Sequence, residues 1–293
     1  MIAFSLWSLH IYRYGIMYMI SFVIGYATLM IWQQRWWYTQ YPLIDNLLKN
    51  NLDELILAIM IGVMIGWRMG QVLIYDLAYF ITHPLKIFAI QQWWMSFIGG
   101  IVGTIISVSI YSYKCWVLNV EWKKTYNLQL IISHSLRLLD AFIPLVPVGI
   151  FFGRFGNFLN QELYGTIIPT DFRWWPSWFV QFALDIQLFH VYDKIWWELR
   201  INTNFLSMMF EWLVLAIVLR ICFFRYWRDK KWAAWQLSAI FLWLYSVVRF
   251  MLEYLRQDSQ AEFVGAFTKS QWFFVGFMVV AVVVFVVQGR KRE

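Results

Sequence analysis

Residues 153–165 read GRFGNFLNQELYG. Arg154, Asn157, Asn160, Gln161 and Glu162 follow directly on the apolar run 131–152, which is long enough to cross a bilayer. Solvating such groups at the edge of hydrocarbon is costly, and groups kept there hold a ligand or do chemistry. In a water-soluble chain the same residues make an ordinary surface loop. The solvent for which the chain is built therefore decides how the stretch is read.

Composition answers that question. The chain has 293 residues, of which 61% are hydrophobic and 14% charged. A soluble domain carries about a quarter charged residues. The 20 Trp and 16 Tyr suit membrane interfaces, where a ring needs one dry end and one wet end. Seven segments read as membrane helices: 14–32, 55–75, 95–113, 131–152, 205–224, 233–253 and 272–288. The expected fold is an all-α polytopic membrane protein with seven transmembrane helices in one domain, 1–293. Between spans four and five, 154–204 is too long and too aromatic for a linker, so it reads as an extracytoplasmic head segment. Its run 174–190 suits an interfacial helix, and 1–13 an amphipathic interfacial segment anchored by Phe4 and Trp7. No cleavable signal peptide is expected at the N-terminus.

The net charge of +7 does not indicate nucleic acid, because the Lys and Arg lie between apolar segments and form no continuous basic face. Their distribution gives an orientation. With the N-terminus outside, thirteen Lys and Arg fall on the cytoplasmic side and eight on the outer side, leaving Arg68, Arg137 and Arg249 within spans. The C-terminus is then cytoplasmic and Gly153 lies at the outer surface. Cys115 and Cys222 are far apart and suggest neither a disulfide framework nor a metal site. Gly62, Gly66 and Gly70 recur every four residues, as do Gly99 and Gly103, a spacing that marks close helix contact.

Several ionisable groups stand at or within the membrane. Arg249 and Glu253 share a helix face, and Arg137 and Asp140 are close enough in sequence to pair. An internal ion pair explains any one of these taken alone. Taken together, Arg154 and Arg249 fall at one depth near the outer face, where two guanidinium groups can clamp a phosphodiester. That suggests a phospholipid headgroup. Asn157 and Asn160 share a face if their segment is helical, with Gly153 and Gly156 permitting a tight turn before it.

GRFGNFLNQELYG closely resembles the signature of the bacterial prolipoprotein diacylglyceryl transferases. The similarity extends through RYGIMY at 13–18, GWRMGQVLIYD at 66–76, HPL at 83–85, MSFIGGIVG at 95–103, LLDAFIPLVPVG at 138–149, VVRFMLEYLRQ at 247–257 and FVGAF at 263–267. The resemblance implies transfer of diacylglyceryl from phosphatidylglycerol to the lipobox Cys thiol of a prolipoprotein signal peptide, with glycerol phosphate leaving. It implies a bacterial inner (plasma) membrane location and no metal or nucleotide. Through it, Arg154, Arg249, Glu162 and Tyr14 are expected to be catalytic. Arg154, Asn157, Asn160, Glu253, Asp140 and Arg256 are expected to bind substrate.

Two departures bear on mechanism. The family reads His-Gly-Gly where this chain has Ile98-Gly99-Gly100, and that His is commonly proposed to activate the thiol. The family's His-Pro-Ser-Gln-Leu-Tyr-Glu element is FLSMMFE at 205–211, keeping only Ser207 and Glu211. Glu162, Glu253 or Tyr14 stand as alternative bases if desolvated; of the four histidines, His83 and His190 fall on the outer side, His10 in the N-terminal segment and His134 near the inner face. A cationic site that lowers the thiol's own pKa is a further alternative. A catalytically impaired member that binds anionic phospholipid or signal peptides is the alternative function. A transporter is disfavoured because no inverted repeat is visible.

Overall fold

The computed structural model describes residues 2–6, 9–35, 41–88, 96–118, 128–168, 176–192, 197–229, 232–256 and 263–290. Trp7, the approach to the third span at 91–94 and the basic residues 123–124 and 291–292 lie outside the described residues. The chain forms two compact units, one of 1–31 with 142–293 and the other of 32–141.

The first unit opens with an antiparallel hairpin, β1 (Ile2–Leu6) and β2 (Leu9–Tyr12), leading into α1 (Arg13–Gln34). The second unit holds α2 (Pro42–Asn50), α3 (Leu52–Gly70), α4 (Leu77–Thr82), α5 (Phe97–Leu118) and most of α6 (Leu128–Phe142). Its centre is the contact between α3 and α5, and the glycine stripes are the reason. A methyl group on Gly66 would stand 2.8 Å from the Gly103 Cα and closer still to the Gly99 carbonyl. One on Gly70 would stand 2.6 Å from the Gly99 Cα. Only hydrogen side chains let the two backbones touch in this way. Arg68 is satisfied by carbonyls of the 3₁₀ turn Pro84–Phe88, donating through Nε to Ile87 at 2.9 Å and through Nη2 to Lys86 at 2.5 Å. Arg137 donates to the Tyr41 hydroxyl at 3.1 Å and lies over that ring.

After a 3₁₀ turn (Ile143–Leu145), α7 (Val146–Leu159) resumes the first unit. The expected span 131–152 is thus two helices, and the expected turn at Gly153 and Gly156 is absent. Both glycines are helical, and α7 carries the signature as far as Leu159. The expected interfacial helix over 174–190 is also shorter. It is α8 (Ser177–Asp185), followed by Gln187 at φ 62° and the hairpin β3 (Phe189–Tyr192) and β4 (Glu198–Ile201). Ile168, Ala183 and Phe189 form a small core beneath them, so this segment has a fold of its own. The fifth apolar run comprises α9 (Thr203–Ser207), a π-helical stretch (Met208–Val214) and α10 (Leu215–Asp229). Next come α11 (Gln236–Glu253), a two-residue hairpin of β5 (Phe263–Val264) and β6 (Phe267–Thr268), and α12 (Lys269–Arg290). Thr268 and Gln271 cap α12 reciprocally: Thr268 N–H donates to Gln271 Oε1 at 2.9 Å, and Gln271 N–H to Thr268 Oγ1 at 3.2 Å.

Six helical runs among the described residues are long and apolar enough to cross a membrane: Gly15–Gln34, Leu52–Tyr75, Ser135–Leu159, Thr203–Trp227, Gln236–Glu253 and Lys269–Val287. Their outward faces carry Met19, Val23, Ile65, Ile217, Val279 and Val283, large apolar side chains left exposed. Water does not tolerate that much contiguous apolar surface on a stable monomer, whereas hydrocarbon does. The protein is a mostly helical, polytopic membrane protein.

Candidate active site

The site is built on three helical segments of the first unit. On α11, Tyr245, Arg249 and Glu253 recur every four residues and are all buried. On α7, Arg154 points toward the same place. The π-helical stretch after α9 supplies Glu211, whose side chain is wholly buried. A π-helical turn widens the backbone by one residue and is a frequent device at functional positions.

These groups form a chain of alternating charge. Arg154 Nε donates to Glu211 Oε2 at 3.4 Å. Arg249 Nη1 is 3.6 Å from Glu211 Oε1, and its Nη2 is 3.5 Å from Glu253 Oε2. Arg256 Nη1 closes the chain on Glu253, 3.2 Å from Oε1 and 3.1 Å from Oε2. The five side chains are between 0 and 13% exposed. The Tyr245 hydroxyl stands within hydrogen-bonding reach of Arg154. Among these five side chains three guanidinium groups meet two carboxylates, and Arg154 and Arg249 share Glu211 between them. Charges at such depth in a membrane protein are kept where they hold a ligand or do chemistry.

The signature loop closes one side. Past Leu159, Gln161 and Leu163 adopt left-handed backbone at φ 55° and 54°, and the chain is caught by a polar triplet at the start of α9. Asn204 Nδ2 donates to the Glu162 carbonyl at 2.7 Å, Thr203 Oγ1 donates to the Leu163 carbonyl, and Asn202 Nδ2 donates to the Gln187 carbonyl at 3.0 Å. Gly165 then pairs with Arg256, with its own N–H on Ile201 O at 3.0 Å and the Thr166 N–H on Leu255 O at 3.0 Å. A Cβ at Gly165 would lie 2.7 Å from Ile201 O and 2.8 Å from Leu255 O, two backbone atoms that cannot move alone. Gly165→Ala is therefore expected to destabilise the protein by about 1–3 kcal/mol, read as a lowered melting temperature in detergent. It should also displace Arg256 and so lower turnover of whatever protein remains folded.

The structure thus brings Arg154, Arg249, Glu253 and Arg256 together. Asn160 is buried at the end of α7, and Asn157 is half-buried one turn before it. Glu162 contributes its backbone carbonyl to the loop, and its side chain is largely exposed. Tyr14 begins α1, its side chain lying outside the described residues. Half-buried Tyr18, one turn further on, faces the Arg154 charge. Asp140 is wholly buried in the last turn of α6, in the other unit. The reading of the sequence missed Glu211, Tyr245, Asn202, Thr203 and Asn204. Each left a trace: Glu211 is an acid within an apolar run, Tyr245 sits four residues before Arg249, and the triplet directly precedes a span.

Fold and site together define a helical membrane protein with a buried arginine–glutamate cluster beside a tightly stapled polar loop. The family model for prolipoprotein diacylglyceryl transferase matches residues 1–287. The chain belongs to that family. It is 30% identical to the phosphatidylglycerol–prolipoprotein diacylglyceryl transferase of Chromobacterium violaceum, over 100% of this chain and 96% of the relative. It is 33% identical to the protein of that name from Legionella pneumophila, over 90% and 86%, and 30% identical to that of Neisseria gonorrhoeae, over 84% and 82%.

Proposed function

We propose that this protein transfers diacylglyceryl from phosphatidylglycerol to the lipobox Cys thiol of prolipoproteins. The observation that carries the reading is the arginine–glutamate chain spanning α7, the π-helical stretch and α11, in which Arg154 and Arg249 converge on one buried carboxylate. Phosphatidylglycerol brings one negative charge on its phosphodiester, which two guanidinium groups at one place can clamp. Arg154 and Arg249 bind that phosphate. As the carbon–oxygen bond breaks, charge builds on the departing glycerol phosphate, and cations fixed in a dry site favour that state over the ground state. Asn157 and Asn160 orient the headgroup, Glu253 and Arg256 hold Arg249 and the signature loop in register, and the family resemblance assigns Tyr14 to catalysis and Asp140 to substrate binding. Glu162 stands at the open side, where a proton can be exchanged with water.

The reaction defines the setting. Chain 1–293 acts as one domain in the bacterial plasma membrane, and the family match across both compact units supports this. There are seven spans. The seventh is α5, which has 22 residues with Lys114 as its one charged side chain. The bias of Lys and Arg supports an outer N-terminus, a cytoplasmic C-terminus and an extracytoplasmic head at 154–204, on the side where a secreted Cys first becomes available. No cofactor and no nucleic acid enter the reaction. The test is direct: purified protein with phosphatidylglycerol and a lipobox peptide should yield a thioether-linked product and free glycerol phosphate. Product no higher than in a heat-killed control would defeat the proposal. The alternative, a binder of anionic lipid or signal peptide without turnover, draws on Ile98 in the first turn of α5. It predicts lipid or peptide binding that depends on Arg154 and Arg249 with no thioether formed, and a gain of activity in Ile98→His.

A further inference from the structure

A thiol with an ordinary pKa near 8.5 is about 3% ionised at pH 7, so displacement at carbon needs a proton acceptor. Ile98 cannot serve. We propose that His190, on strand β3 of the head, takes that proton; this rests on the transferase reading above.

The geometry specifies the imidazole's state. Gln187 Nε2 donates to the Leu184 carbonyl at 3.2 Å, which fixes the orientation of the amide. Its Oε1 is therefore the atom turned to His190, 2.9 Å from Nδ1. A carbonyl oxygen only accepts, so Nδ1 carries the proton, and in the neutral ring Nε2 carries the lone pair. Gln187 is held in this role by its own left-handed backbone, at φ 62°, and by the Asn202 side chain on its carbonyl. The arrangement is that of a base whose second nitrogen is set by an orienting partner.

His190 also stands beside the signature. Its ring meets Phe158 edge-on, with centroids 4.9 Å apart, and Phe158 is four residues from Arg154 on one face of α7. Across the hairpin His190 lies opposite Arg200, whose Nη1 donates to the Gly165 carbonyl at 3.0 Å. Three elements supply neighbours among the described residues. From β4, Arg200 is paired with Glu198 at 2.5 Å and stacks on Tyr164 of the signature loop. From its own strand comes Tyr192, whose hydroxyl donates to Asn202 Oδ1 at 3.3 Å. Burial pushes the Tyr192 hydroxyl up to about 12, so it stays protonated and does not compete as a base. From α7 comes Phe158, which carries no charge.

The step balances. The lipobox S–H proton passes to His190 Nε2, and the sulfur pair forms the S–C bond to the glyceryl carbon of phosphatidylglycerol. The C–O bond to phosphate breaks, and its electron pair leaves with glycerol phosphate. The imidazolium then returns its proton to that phosphate or to water.

The test is His190→Asn, assayed in the full-length protein with phosphatidylglycerol vesicles and a lipobox peptide. Asn keeps a donor near the Nδ1 position for Gln187 and cannot take up a proton. Expected is a loss of about 100-fold in kcat/KM near pH 7, the usual contribution of a general base. The deficit should shrink about 30-fold by pH 9.5, where the peptide thiol ionises on its own. A structural defect would give one deficit at both pH values. The ratio of the two is also independent of how much of the variant folds. Activity within about three-fold of the parent near pH 7, or a deficit that does not change with pH, overturns the assignment. Failure of the parent protein to form any thioether defeats the transferase reading itself, whereas parent turnover with an unaffected Asn variant defeats the role of His190 alone.

Discussion

Arg154→Lys is expected to lower kcat/KM for thioether formation by about 10²–10³-fold, the cost of removing one fixed donor from a charge-stabilising site. The formal charge does not change, so a purely electrostatic anchor would be indifferent. Geometry makes the difference. The guanidinium uses Nε on Glu211 and reaches Tyr245, and its planar fork can keep further N–H groups directed at a phosphate. A Lys ammonium is a point donor on a flexible stem. It must either stay on Glu211 or turn to the phosphate, and cannot hold both in plane. The measurement is kcat/KM with phosphatidylglycerol and a lipobox peptide, with a melting curve to confirm that the variant is folded. Turnover close to the parent's would mean that Arg154 merely steadies the end of α7.

Six of the apolar runs were legible as candidate spans because a helix in lipid is apolar nearly all round, so run length alone reveals it. The pair Arg249 and Glu253 was legible from spacing, and they meet at 3.5 Å. The end of the fourth span was not. Polar Arg154 and Asn157 signal an exit from hydrocarbon, yet α7 continues through both. What satisfies Arg154 is Glu211, 57 residues away, and sequence order does not show that two helices will meet there. The segment 174–190 misled for a related reason. It has helical composition, but the helix ends at Asp185, and Phe189 and Tyr192 bury themselves as strand residues paired with Ile201 and Glu198. Glu211 was visible as one of two survivors of a divergent motif. Its importance was hidden because a lone acid in an apolar run gains meaning only from the two cations that converge on it.

That convergence gives the second large effect, which concerns stability. Glu211→Gln changes no volume and leaves an oxygen able to accept from one arginine. It also removes one of the two carboxylates that the three guanidinium groups face, so one buried negative charge is lost. Removing one partner of a buried ion pair costs about 3–5 kcal/mol, because the remaining charge is stranded away from water. Here two arginines lose their shared partner at once, from distances of 3.4 and 3.6 Å. A fall in melting temperature is expected in zwitterionic detergent, where nothing replaces the carboxylate. Anionic lipid should then stabilise the variant more than the parent, since a ligand that binds the folded state stabilises it more the tighter it binds, and a site that has lost a carboxylate holds an anion more tightly. The two melting curves, each with and without phosphatidylglycerol, separate charge balance from packing. Packing loss alone would lower both curves of the variant equally and leave the lipid-dependent shift at the parent's value. A Glu211→Gln protein that melts with the parent under both conditions would mean that Glu211 is not what lets Arg154 and Arg249 share one buried site.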